Sequence, residues 1–259
     1  MRKLIADSSG PAVPVQPITK SGLAGWLASA AAAAAAWVVA NQFDAEPGTQ
    51  LAVPGANGEI SLVLAGISEP AEIWDLAALP RTLPEQAYRI DDRAGVLAGD
   101  AAAPERLALG WLLGCYAFER YKKATRGAAR LVQDAGVEVA LIEAEATFLV
   151  RDLVNTPAND MGPSALAAAA RKLAERFGAG YGETVGDALI EQGYPAIHAV
   201  GRAAADQPRL IELSWGDPGR PTVALVGKGV CFDSGGLDLK AAANMKLMKK
   251  DMGGAAHVL

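Results

Sequence analysis

Apolar and polar positions follow two different periods along the first half of the chain. Residues 23–40 form an uncharged, alanine-rich run; alanine is the strongest helix former, so a buried helix is expected there. Residues 50–53 and 59–67 are short, mostly apolar runs on either side of Pro54-Gly55-Ala56-Asn57-Gly58. Asn-Gly is a turn dipeptide, and the flanking runs read as strands. A short helix is expected over 71–79 and a long one over 103–122, where apolar residues recur at helical spacing. Such alternation predicts α/β layers rather than a helix bundle or a β-sandwich.

Residues 122–138 are charged and polar and are expected to connect two domains. A helix over 139–153 follows, ended ahead of Pro157 because proline disfavours helix in the residue before it. Pro163-Ser164 opens another, to Arg176. Residues 209–215 and 222–226 are short apolar runs bounded by Pro and Gly, the pattern of central strands in a covered sheet. From Met245 a half-apolar helix begins and reaches Leu259 with no cap, glycine stop or polar tail, so a longer chain is expected. The expected organisation is an N-terminal domain over 1–137, a linker helix and turn over 138–160, and a second domain over 161–259, incomplete at its C-terminus.

Composition narrows the class. At 259 residues with 51% hydrophobic and 20% charged letters, the chain can bury a real core, which excludes disordered, collagenous and disulfide-scaffold proteins. Lys+Arg 24 against Asp+Glu 29 gives −5, which offers no general attraction to nucleic acid or to an anionic membrane. The alanine-rich run is long enough to span a bilayer, but alanine gains little on transfer into lipid. Met1-Arg2-Lys3 is basic like the start of a signal peptide, yet Asp7, Pro11, Pro14 and Pro17 interrupt the place where its apolar core belongs. A cytoplasmic protein without membrane contact is expected. Cys115 and Cys231 lie in apolar surroundings and form no C-x-x-C pair, which suits buried thiols of a reducing compartment. His198 and His257 are the two histidines; neither lies in an H-E-x-x-H frame, and they are too few for a histidine-built metal site.

Candidate chemistry concentrates in Val226-Gly227-Lys228-Gly229-Val230-Cys231-Phe232-Asp233-Ser234-Gly235-Gly236-Leu237-Asp238-Leu239-Lys240 and in residues 245–256. A phosphate-binding Walker loop fails, because Thr222 and Gly229 stand where Gly and Ser or Thr are needed. Phe232 defeats both a G-x-G-x-x-G turn and a G-x-S-x-G nucleophile elbow around Ser234. Asp233-Ser234-Gly235-Gly236 matches the nucleophile loop of chymotrypsin-like proteases in four letters only, within a helix-rich chain unlike that all-β fold. What remains is Lys228 and Lys240 interleaved with Asp233 and Asp251 on glycine-rich turns. Paired carboxylates bind hard or borderline divalent cations, and a deprotonated lysine can join them. A solvated loop carrying Lys-Asp ion pairs is the alternative reading.

These residues resemble the signature of the leucyl aminopeptidase (M17) family. Gly227-Lys228-Gly229, Phe232-Asp233-Ser234-Gly235-Gly236, Lys240 and Met248-Lys249-Lys250-Asp251-Met252-Gly253-Gly254-Ala255-Ala256 match its pattern element by element. The match extends to Arg151-Asp152-Leu153-Val154-Asn155-Thr156-Pro157-Ala158-Asn159 and, more weakly, to residues 110–121. The resemblance implies a macro-like N-terminal α/β domain, then the first part of an α/β di-metal peptidase domain with a mixed sheet flanked by helices. It implies that Asp233 bridges two divalent ions (Mn²⁺ or Zn²⁺, with Mg²⁺ also suitable), with Lys228 and Asp251 completing the second, tighter site. Lys240 would stay protonated and polarise the scissile carbonyl. Lys228, Asp233, Lys240, Met248 and Asp251 would together bind the substrate, Met248 lining the pocket for the first side chain or, equally, filling the core. Peptide substrates and a hexameric assembly are implied in the same way.

Two departures from that pattern stand out. Ala241 replaces the proline that usually follows the catalytic lysine. The family's Asn-Thr-Asp-Ala-Glu-Gly-Arg motif, which brings two further carboxylates and an anion-site arginine, is absent. Asp44-Ala45-Glu46 resembles its centre but lies far upstream and runs into Pro47, so it is set aside as a decoy. By itself this chain is therefore expected to be weakly active or inactive. The alternative from another class is a non-catalytic α/β module holding a nucleotide-like ligand or a protein partner.

Overall fold

In the computed structural model, which describes residues 1–134 and 137–259, the elements fall into two units, Met1–Phe148 and Leu149–Leu259. The first contains a 3-10 turn Arg2–Leu4, β1 (Ile5–Ala6), β2 (Val13–Ile18), α1 (Leu23–Ser29), α2 (Ala32–Ala40), β3 (Gln50–Pro54), β4 (Ile60–Gly66), α3 (Leu79–Thr82), β5 (Ala87–Ile90), α4 (Ala103–Gly114) and β6 (Arg130–Val132). The division falls within α5 (Val137–Asn155). Strand order is β1-β6-β5-β2-β4-β3, with every pair parallel except the β3–β4 hairpin. A mixed α/β architecture results, as the alternation of periods predicts.

Central β2 carries two prolines, which cannot donate to a ladder. Register explains how they are tolerated. Pro14 lies where β2 pairs with β5 alone, and Pro17 where it pairs with β4 alone; Val15 is the one position shared by both neighbours. Each proline therefore sits where one flank of the strand is unladdered. Beneath the sheet, Trp111 of α4 is fully buried, stands 5.7 Å from the Tyr88 ring, and donates its indole N–H to the Ala129 carbonyl at 3.3 Å.

Several helices differ from the pattern reading. The alanine-rich run is two helices, not one, broken where Ala30 and Ala31 turn extended (ψ 156° and 139°), and within α1 and α2 only Val38 is buried. Alanine side chains gain little from burial, so one edge suffices: Leu23, Trp26, Leu27 and Ala34 pack on the cluster of Ile18, Val38, Ala45, Val53 and Leu64. Residues 71–78 make turns rather than a helix. The buried Asp75 carboxylate accepts the Ser68 and Glu72 N–H groups and the Ser68 hydroxyl, and such side-chain bonds compete with the helical ladder. The helix expected to reach 122 ends at Gly114, where the Arg81 guanidinium donates to the Cys115 carbonyl. The polar stretch 122–138 contains β6; residues 135–136 of that connection lie outside the described residues.

The second unit adds α6 (Pro163–Phe177), β7 (Gly180–Val185), α7 (Ala188–Glu191), α8 (Pro195–Gly201), β8 (Arg209–Ser214), α9 (Ala242–Met245), a 3-10 turn Met248–Met252 and α10 (Gly253–Val258). Helix α6 starts after Gly162, with Asp206 accepting the Ser164 N–H and hydroxyl, and stops at Gly178 in the left-handed region (φ +64). The run 209–215 is not a central strand: β8 forms an antiparallel pair with β7, and its last three residues are exposed. Residues 222–226 form no strand at all. Val223 and Val226 are 82% and 91% exposed, since a run whose backbone finds no ladder partner has nothing to lie against. The unit's core is Leu153, Met161, Leu166, Met252 and Ala256.

Candidate active site

Two glycine-rich segments make the site by close backbone approach. The loop Gly227-Lys228-Gly229 lies against the start of α10, with Ala255 N–H donating to the Lys228 carbonyl at 2.8 Å. A Cβ on Gly227 would fall 2.4 Å from the Gly254 carbonyl oxygen, and one on Gly254 3.0 Å from the Lys228 nitrogen. Only residues without side chains permit this contact. Its consequence is to set Lys228 beside the 3-10 turn that carries Asp251. The Lys228 ammonium donates to Asp251 Oδ2 at 2.5 Å and to the Asp251 carbonyl at 3.0 Å.

The second segment is a tight return from Asp233 to Lys240. Lys240 N–H donates to the Ser234 carbonyl at 3.1 Å, and Gly235 turns the chain with φ +81. A side chain there would also crowd Lys240 Cγ at 3.1 Å. The closed loop brings Lys240 Nζ to 3.0 Å from Asp233 Oδ2, while Gly235 N–H donates to Oδ1 at 2.8 Å. The Lys240 hydrogen bond, then the Gly235 N–H, hold the Asp233 carboxyl below its usual range, and the charge of Lys228 adds to the effect.

All four residues singled out in sequence therefore come together as alternating charges: Lys240 against Asp233, and Lys228 acting on Asp233 while bonded to Asp251. Both carboxylates already hold an ammonium, so two negative and two positive groups balance, and a cation would have to displace the lysines from them. Two carboxylates and a lysine suit a divalent ion in kind. They fall short in number, since no group of three or more His, Cys, Asp or Glu side chains gathers among the described residues. Met248 opens the 3-10 turn and is half-buried, whereas Met252 of the same turn is the core residue.

Other candidates lie elsewhere. Glu46 of the Asp44-Ala45-Glu46 segment is in the first unit, ion-paired with Lys20. His198 pairs with Asp187 at 3.1 Å, and His257 Nδ1 lies 2.6 Å from the Gly253 carbonyl. Cys115 is buried, as its apolar setting suggests, while Cys231 is half-buried; burial pushes their thiols up to about 12 and about 11. Lys249, a matched letter of the family pattern to which the sequence attaches no role, donates to the Asn155 carbonyl at 2.8 Å.

Fold and site thus define a two-unit α/β protein whose second unit gathers two aspartates and two lysines on glycine-rich loops. Residues 13–134 match the M17 aminopeptidase N-terminal domain and residues 148–259 the catalytic domain of the cytosol aminopeptidase family. A crystal structure of the cytosol aminopeptidase from Coxiella burnetii superposes with TM-score 0.90 at 40% identity, covering 98% of this chain and 55% of that one. The bottromycin maturation enzyme BotP in complex with Mn gives TM-score 0.76 at 33% identity, covering 95% and 54%. A "Probable cytosol aminopeptidase" of Streptomyces coelicolor is 37% identical over 61% of this chain and 36% of its own length. The chain belongs to the cytosol aminopeptidase (M17) family, and it spans about a third to a half of the curated relatives it matches.

Proposed function

We propose that this chain provides the N-terminal domain (1–137), the linker (138–160) and the first part of the catalytic domain (161–259) of a cytoplasmic metalloaminopeptidase. The protein would release N-terminal residues, leucine among them, from peptides, and would assemble as a hexamer. The observation that carries this reading is the alternation of Lys240, Asp233, Lys228 and Asp251 on two glycine-bound loops. Lys228, Asp233 and Asp251 would hold divalent ions (Mn²⁺, Zn²⁺ or Mg²⁺), which would supply an activated water and neutralise charge.

The chain's own residues do the rest. Lys240 keeps an ammonium at the site edge, where it can donate to a substrate carbonyl and hold the negative charge that grows on that oxygen. Lys240 now rests on Asp233; with a cation held by that carboxylate, its ammonium would be free to face substrate. Lys228 is held to the Asp251 backbone as well as its carboxylate, which sets its amine beside that carboxylate; it would join Asp251 on a cation only after giving up its proton. Met248 would offer an apolar wall to the first side chain of the peptide. Because the donors in hand are few, the chain alone should turn over substrate poorly.

The test is hydrolysis of a leucine anilide with added Mn²⁺ or Zn²⁺ by this chain and by a chimaera joining it to the rest of the Coxiella burnetii relative. Turnover by the chimaera that disappears in Lys240→Ala supports the reading. A folded chimaera without turnover, or one indifferent to Lys240→Ala, would sink it.

A further inference from the structure

Asp251 rides on a 3-10 turn of five residues, a geometry with weak hydrogen bonds that rarely persists unaided. Lys246 and Leu247 ahead of it are exposed, so local packing on that side does not fix it. Two anchors flank the aspartate instead. Met252, one residue on, is wholly buried with Leu153, Met161 and Leu166. Lys249, two residues back, reaches Asn155, the last residue of the 19-residue α5, and donates to its carbonyl at 2.8 Å from a half-buried position.

The receiving end is the C-terminus of a long helix. The last carbonyls of a helix have no partners within it. Thr156 satisfies Asp152 twice, through its N–H at 3.1 Å and its hydroxyl at 2.6 Å. Pro157 has no N–H to offer the carbonyl of Leu153, and it ends the helix. An ammonium placed there meets a helix-end carbonyl at the negative end of the helix dipole.

We infer that Lys249 is a positioning residue that fastens the Asp251-bearing turn to the C-terminus of α5 and so sets where the second carboxylate of the site stands. Its neighbour Lys250 is exposed and has no such task. The inference rests on the reading of Asp251 as a cation ligand, and its test separates the two.

Hydrogen exchange on the metal-free chain should show residues 248–252 opening about tenfold faster in Lys249→Met than in the parent, with α6 unchanged, and protection regained in Lys249→Arg. Mn²⁺ titration of the same proteins should show affinity falling about tenfold or more in Lys249→Met and recovering in Lys249→Arg. Equal exchange in parent and Lys249→Met overturns the inference. Loosening of α6 together with the turn, or a Lys249→Arg protein as loose as Lys249→Met, overturns it too, since the lysine would then support the unit at large. A parent chain that binds no Mn²⁺ yet shows selective loosening keeps the anchor and refutes Asp251 as a ligand.

Discussion

At the scale of single residues, the site is a matter of which amine meets which carboxylate. Lys240 and the Gly235 N–H both favour ionised Asp233. Its folded pKa therefore lies below the ordinary aspartate value of 3.8: the pairing stabilises the fold above that value and is lost as pH falls through the lower, folded one. A carboxyl-detected NMR titration should find Asp233 more than half ionised at pH 3.8, and Lys240→Ala should move its midpoint back up. The thiols obey the opposite rule. With Cys115 near 12 and Cys231 near 11, both stay neutral at pH 8, so a thiol-specific reagent should react with the native chain far more slowly than with the unfolded one. What stability their burial confers is present below the ordinary thiol value and lost as pH rises through those raised values. The carboxylates and their lysine partners were legible in the sequence because spacing and the family pattern mark them. Lys249 was legible only as a letter of the family pattern; its task shows once its ammonium is seen on the Asn155 carbonyl.

Among the elements, glycine decides more than hydrophobic pattern does. Gly227→Ala should push a methyl into the Gly254 carbonyl; the expected cost is about 1–3 kcal/mol, with separation of Lys228 from Asp251. Denaturant melts of the variant and its Mn²⁺ affinity check this together, and parent-like values for both would contradict it. In the first unit, Trp111→Ala should destabilise by about 3–5 kcal/mol, since it empties a fully buried site next to Tyr88. The β3–β4 hairpin was legible because Asn57-Gly58 carries its own turn geometry, with Gly58 at φ +85. Helix α6 was legible because Pro163 and Gly178 punctuate it. Strand β2 was not, because its two prolines argue against a central strand until the staggered register of β4 and β5 is known. Residues 222–226 misled in the other direction: their apolar letters describe a segment suited to a sheet, but pairing is a property of partners elsewhere in the chain.

For the molecule as a whole, the two units differ in how well their apolar side chains are covered. The first encloses a large core around Trp111, Tyr88 and Leu131, whereas the second leaves Val223, Leu225, Val226, Leu237 and Leu239 in solvent. A hydrophobic dye should therefore bind the native chain, and Val226→Lys with Leu237→Lys should reduce its fluorescence without unfolding β7–β8. No helix among the described residues is long and apolar enough to cross a membrane, so this exposure is not that of a spanning helix. The central claim is that Asp233 and Asp251, with Lys228 between them, form the start of a divalent-cation centre. Calorimetric titration of the chain with Mn²⁺ tests it most directly. The account predicts saturable binding that weakens about tenfold or more in both Asp233→Asn and Asp251→Asn; no binding by the folded parent, or binding that neither substitution alters, would contradict it.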